Sequence, residues 1–444
     1  MLRTFAVCSL LLCAFAAKAD LQSAMKAHAA KDYASAKQQF RALLPIRNEV
    51  AAYKLGLMAY NGEGEQQDII QAAAYLALAK ELHHQQADVL LQRLTRGFAE
   101  GQKAELETRL NALRDSLLVN EVKANQDLTR IPIDDVSVPK GSKILRKEPS
   151  YPPQAAKNGI SGYVKLTFVI GRNGKVQAAD VVESNPAGLF DKSALKAIEQ
   201  WRYPGQPTTR VASVQLDFRL DSCQNGAVRA EIAKNQLLQL ALTNAPNPQF
   251  RLSQALQQMA ICTNATLRHN HAFAEAQSYI SPIYDKKLAS IPNSTLGVKG
   301  LAQINVSNRG VIKEVLSSSS EHLADKVLGK RVDQDVRAGE YLLQSLDPDA
   351  VFLQPILYVP QTQYSRYWLL QAAKNGHRNA QWILAQEDQS WLLYLVAKKD
   401  AQALAWYGAR QYTAGKTSEG MELLDAALAQ NFVLANSIKQ ALLE

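Results

Sequence analysis

His83-His84, His269-Asn270-His271, the serine run Ser317–Ser320 and the cysteines are the side chains best suited to direct chemistry in this 444-residue chain. A zinc site needs three or four ligands around one ion, and neither histidine pair has further ligands at metal spacing, so both read as surface residues. The serines have no base partner in view that would make one a nucleophile. CxxC pairs, HExxH, the phosphate-binding P-loop and the strained nucleophile elbow are all missing. The sequence points to no enzyme, no metal and no cofactor. The chemistry left is that of backbone hydrogen bonds and packed surfaces.

Composition fits a soluble globular chain, with 47% hydrophobic and 20% charged residues. The formal charge of +9 is spread among interspersed acids and bases, without the basic block of a nucleic-acid surface. Residues 1–19 read as an export signal, with Arg3, an apolar stretch from Thr4 to Ala17 and a small-x-small site at Ala17-Lys18-Ala19. An uncleaved anchor is the alternative. Export leaves Cys223 and Cys262 as an even pair in an oxidising compartment, the setting for a disulfide worth about 4 kcal/mol. Two buried thiols are the other reading.

Helical spacing dominates both flanks. Ala27, Tyr33, Ala36, Phe40 and Leu44 form one hairpin; Ala52, Leu55, Gly56, Tyr60 and, past Gly62-Glu63-Gly64, Asp68, Ala72, Tyr75 and Ala79 form a second. Near the end, Trp368, Ala372, Ala373, Gly376, Ala380 and Leu384, then Ala405, Tyr407, Gly408, Tyr412, Gly415, Ala427 and Ala435, repeat the pattern. Small residues at fixed offsets let paired helices approach closely, and each pair must stack on neighbours to bury its apolar face. These units resemble tetratricopeptide repeats, loosely in the first, with the second and the C-terminal ones similar to the SEL-type variant. The resemblance implies a protein or peptide partner on the repeats, against plain helical packing as the alternative.

Between the flanks, residues 123–148 carry Pro132, Pro139 and Gly141 and read as an extended linker. Pro153 opens a short helix that Asn158-Gly159 ends. Val164, Leu166, Phe168 and Ile170 then alternate with Tyr163, Lys165 and Thr167, the pattern of a half-buried strand. Asn173-Gly174 makes a hairpin turn, and Val176, Ala178 and Val182 continue the buried face until Asn185-Pro186 breaks the strand. Phe190 precedes an Asp191 placed to cap a helix striped with Ala194, Leu195, Ile198 and Trp201. Val214, Leu216, Phe218 and Leu220 write a last strand. The result is a β-β-α-β unit with one face covered and its edges open.

Tyr151-Pro152, Ala155, Gly162, Val164, Phe168, Gly174, Val176, Val182, Ser184, Phe190, Ala194, Leu195, Ala197 and Trp201-Arg202-Tyr203 carry a resemblance to the C-terminal domain of the TonB family, over residues 149–220. The resemblance implies docking to outer-membrane TonB-dependent receptors, or to the TonB motor complex, by pairing a TonB-box peptide along the last strand in β-augmentation. The implied contact residues are Arg210, Val211, Ala212, Ser213, Val214, Gln215, Leu216, Asp217 and Phe218, with Tyr151 and Pro152 alongside. Packing of the Tyr151 ring under the sheet is the alternative. The family's membrane anchor and long Pro-rich spacer have no counterpart, which favours a periplasmic adaptor near the envelope membranes. A cell-envelope scaffold acting through its repeats, and an anchored energy transducer with an uncleaved N-terminus, stand beside it.

Downstream, Ile304, Val306, Gly310 and Ile312 fall on the spacing of Phe168, Ile170, Gly174 and Val176. They suggest a degenerate second TonB-like unit, with 351–359 as its last strand, although Pro355 argues for an edge position or for coincidence. The expected class is α+β: signal 1–19, helical repeats 20–122, linker 123–148, TonB C-terminal-like domain 149–222, connecting helices 223–285, the degenerate unit 286–360 and helical repeats 361–444.

Overall fold

The computed structural model describes residues 19–84, 86–121, 144–220, 226–262, 302–306, 312–318 and 365–444. The linker residues 122–143, Cys223, the side chain of Cys262 and the segment 351–359 lie outside the described residues, and with them the disulfide and the last strand of the second unit. The chain divides into two compact units, Met1–Ser116 and Leu117–Glu444.

The first unit is helical: α1 (Leu21–Ala29), α2 (Tyr33–Leu43), α3 (Glu49–Asn61), α4 (Ile69–Glu81), α5 (Ala87–Thr95) and α6 (Glu100–Asp115). Four of the starts are set by side-chain caps. Asp20, Asp32, Asn48 and Asp68 accept from the N–H groups of Ser23, Ser35, Ala51 and Gln71, each worth about 1 kcal/mol. In α3, Gly56 lies where a Cβ would sit 2.9 Å from Leu76 of α4. The expected small-residue contact thus holds that hairpin together.

In the second unit, three antiparallel strands run in the order β2-β1-β3: β1 (Gly162–Ile170), β2 (Val176–Asn185) and β3 (Arg210–Phe218). The hairpin forms because period-two alternation flanks Asn173-Gly174, which supplies the turn; Gly171 N–H donates to Lys175 O at 2.9 Å. Helices α7 (Pro153–Lys157) and α8 (Asp191–Ile198) belong to the inner face, where Val164, Leu166, Phe168, Ile170, Phe190, Ala194, Ile198, Trp201 and Phe218 form one core. Asp191 does not cap α8 as expected. It is the first helical residue, and Phe190 stands at the cap position with no side-chain hydrogen bond, fully buried.

The half-buried reading of β1 needs a larger correction, because all nine of its residues are buried. The second face is covered from later in the chain, where the helices are α9 (Gly226–Lys234), α10 (Leu237–Leu242), α11 (Pro246–Cys262), α12 (Ser365–Lys374), α13 (Arg378–Leu384), α14 (Gln389–Ala397), α15 (Ala401–Thr413), α16 (Thr417–Leu428) and α17 (Leu434–Leu443). Of these, α11 packs on β1, α13 and α17 on β2, and α15 on β3, while α17 also reaches β1. Sequential helices pair as α12–α13, α14–α15 and α15–α16; Gly408 and Gly420 meet so closely that a Cβ on either would stand 2.7 Å from the other's carbonyl oxygen. The class is α+β, with the sheet between two helical layers. A separate antiparallel pair, β4 (Ala302–Val306) and β5 (Ile312–Ser318), stands where the second hairpin was expected.

Candidate functional site

β3 pairs with β1 along its whole length, from Arg210 opposite Ile170 to Phe218 opposite Gly162. Its other side has no strand partner among the described residues. Alternate residues of an antiparallel edge strand turn their N–H and C=O outward, so this side presents a row of donors and acceptors that no described strand pairs with. Only another extended backbone satisfies such a row in full.

The nine expected contact residues are not equivalent. Ala212, Val214 and Phe218 are buried in the inner core, with Phe218 stacked on Phe190 at 4.4 Å between ring centres. Leu216 is half-buried against the same core. Arg210 ends the inner row, and its guanidinium donates to Pro204 O at 3.1 Å; burial pushes its pKa down from the ordinary value. On the outer face lie Val211, Ser213 and Gln215, all half-buried, and the exposed Asp217. Gln215 Nε2 donates to Asp217 Oδ1 at 2.6 Å. The inner residues fix the strand in place.

Tyr151 is packed against the inner core, and Pro152 stands at the start of α7. The Tyr151 hydroxyl donates to Ile160 O at 2.7 Å, and its ring meets Phe190 and Phe218 edge-on at 5.6 and 5.9 Å. That is the packed alternative for this ring. Its aromatic contacts brace Phe218, the last residue of β3.

The buried outer face carries polar residues that the alternation pattern assigned to solvent. Lys165 lies opposite Glu183 in the β1–β2 register, with its ammonium 2.7 Å from Glu183 Oε2. Tyr163 donates to Glu183 Oε1 at 2.7 Å, and Gln254 of α11 approaches the same oxygen at 3.3 Å. Burial, then the neighbouring carboxylate, pushes the Tyr163 phenol well up. Toward the turn, Asp180 of β2 accepts from Gln402 at 2.6 Å and from the Trp406 indole at 2.9 Å, both from α15. Burial raises the Asp180 carboxyl above its ordinary value, and these two hydrogen bonds hold part of the rise back. The one hint in the sequence was the pair of opposite charges that the hairpin register places face to face.

Among the described residues no group of three His, Cys, Asp or Glu is placed to hold a metal ion, and no helix is long and apolar enough to cross a membrane.

The central domain is a three-stranded sheet with a helix between its second and third strands, and this part of the chain is similar to known proteins. Residues 147–220 match the family described as Gram-negative bacterial TonB protein C-terminal. Protein TonB of Salmonella typhimurium is 35% identical over 98 residues, which is 22% of this chain and 38% of that protein. Protein TonB of Pseudomonas aeruginosa is 33% identical over 85 residues, 18% of this chain and 25% of that protein. The chain therefore spans well under half the length of these relatives. A solution NMR structure of the Pseudomonas aeruginosa TonB CTD is matched at 30% identity over 19% of this chain and 92% of that one, with a TM-score of 0.18.

Proposed function

We propose that this protein is a non-catalytic, periplasmic TonB-family adaptor that docks outer-membrane TonB-dependent receptors, or components of the transducer complex, by strand addition along β3, in support of energised transport. One observation carries the reading. The sheet's two faces are both covered by helices while the outer sides of β3 and of β2 have no strand partner among the described residues, so its edges are the part of the sheet still able to form a ladder, and the family resemblance favours the β3 edge. The resemblance of residues 147–220 to TonB C-terminal domains supplies the partner class. The adaptor reading includes export by the N-terminal signal and a protein or peptide partner on the SEL-like repeats.

Capture of a purified receptor tests it. Immobilised full-length protein is expected to retain a TonB-dependent receptor and to lose it when the receptor's TonB-box segment is deleted. Equal retention of both forms, or of neither, overturns strand addition as the mode of docking.

A further inference from the structure

We propose that Arg410, held by Gln386 on the side of the sheet that ends in β3, pairs with an acidic side chain of the docking strand. The inference rests on the docking reading and adds the partner's chemistry: an extended segment with a carboxylate where it meets Arg410.

The first observation is a missing counter-charge. Arg410 is half-buried on α15, and its guanidinium makes a long hydrogen bond, from Nη2 to Gln386 Oε1 at 3.4 Å. Among the described residues no carboxylate pairs with it, and burial pushes its pKa down with no neighbouring acid to raise it. Arginines on the adjacent helices are compensated: Arg366 of α12 pairs with Glu387, and Arg378 of α13 donates to both carboxylate oxygens of Asp400. A guanidinium has five N–H donors and stays charged. A half-buried one without an acid is short of both hydrogen bonds and compensation.

The second is a repeated clasp. Arg378 Nη1 donates to Gln402 Oε1 at 2.8 Å, and Arg410 donates back to Gln386, with the partners 24 residues apart in both pairs. Residues 378–386 therefore run alongside 402–410 in the same direction, with an Arg–Gln clasp at each end. At the first end acids complete the clasp, because Asp400 takes Arg378 and Asp180 of β2 takes the Gln402 amide. The second end has the same two residue types and no acid among the described residues.

The third is position. Gln402, Trp406 and Arg410 follow one another at four-residue steps along one side of α15, and the first two donate to Asp180. From Gln402 to Arg410 the helix rises about 12 Å, a little more than the roughly 10 Å between the outer strands of a three-stranded sheet. α15 also packs on β3. The completed clasp thus stands over β2, and the incomplete one reaches the β3 side. In the sheet register Asp180 lies level with Thr167 of β1 and Ser213 of β3, neither of them charged. The sheet has no carboxylate there to offer, so a strand added to β3 is the source that remains.

Binding to full-length protein tests this, with wild type, Arg410→Gln and Arg410→Lys titrated against two peptides. One is a receptor's TonB-box peptide that contains an acidic residue; the other has its Asp and Glu replaced by Asn and Gln. Wild type is expected to bind the acidic form about tenfold more tightly, the value of one charge-assisted hydrogen-bonded pair. Arg410→Gln is expected to lose that preference while binding the amide form as wild type does, and Arg410→Lys to keep part of it. Thermal unfolding of Arg410→Gln is expected at or above the wild-type temperature, since no acid is left stranded. Equal weakening of both peptides together with a lower unfolding temperature assigns Arg410 to packing and overturns the inference. Perturbation of the β3 amides by both peptides with equal affinity in all three proteins also overturns it and leaves the docking reading standing. Binding of neither peptide to wild type overturns the docking reading and the inference together.

Discussion

Lys165→Met is expected to lower the stability of the second unit by about 3–5 kcal/mol, because it leaves the Glu183 carboxylate buried with its charge uncompensated. The side chains of Lys165 and Glu183 are 11% and 4% exposed, too little for water to take over. The Lys165 ammonium, 2.7 Å from Glu183 Oε2, is the charge that compensates this oxygen. Adding Glu183→Gln removes the stranded charge while keeping an acceptor for Tyr163. The double variant is expected to return to within about 1–2 kcal/mol of wild type, since neutral replacements of buried pairs are often close to neutral in cost. Urea unfolding followed by tryptophan fluorescence measures both. A loss below about 1 kcal/mol for Lys165→Met is the value of a solvated surface pair, and it would mean that α11 and the C-terminal helices do not seal this face.

Gly174→Ala is expected to cost about 2–5 kcal/mol, combining about 1–2 for a side chain at positive φ with about 1–3 for forced displacement of packed atoms. Gly174 has φ +77°, and a Cβ there would stand 1.9 Å from the carbonyl oxygen of Tyr203. The clash is with backbone, which cannot swing aside. Tyr203 N–H also donates to Gly174 O at 2.8 Å, so the turn and the segment leading into β3 are tied at one point. Gly188→Ala is the matched control, with φ +76° and nothing within 4 Å of the added carbon. It is expected to cost only the conformational part, about 1–2 kcal/mol. Thermal unfolding of the two variants separates the terms, and equal losses would show that the Tyr203 contact gives way freely.

The legible parts of this fold were those written in local pattern. Alternation at Val164, Leu166, Phe168 and Ile170, the Asn173-Gly174 turn and the stripe from Ala194 to Trp201 all report on neighbours a few residues away, and each element appears in place. Close helix contacts were legible for the same reason, since Gly56 and Gly408 mark them by their lack of a side chain. The cover on the outer face was not. Lys165, Thr167, Asp180 and Glu183 are polar, and alternation alone assigns polar strand residues to water. Their partners come from far along the chain: Gln254 lies 71 residues from Glu183, and Gln402 lies 222 residues from Asp180. A buried polar residue with its partner supplied at such distance has the same sequence signature as a solvated one.

That burial also sharpened the candidate site. Reading β3 as a stretch of nine equal contacts treats its side chains alike, whereas the core takes Ala212, Val214 and Phe218. On the proposed docking mode, selectivity toward a partner strand would fall to the outer-face positions Val211, Ser213, Gln215 and Asp217, with affinity coming from the ladder itself. The helices α11, α13, α15 and α17, read from sequence as connectors and repeats, hold the sheet from behind.

The most direct measurement is titration of the isotopically labelled full-length protein with a TonB-box peptide while the backbone amides are followed by NMR. Perturbations along Arg210–Phe218, with the β2 edge unchanged, are the expected result. Saturating peptide that leaves the β3 amides unmoved, or that perturbs β2 instead, would contradict docking by strand addition at β3.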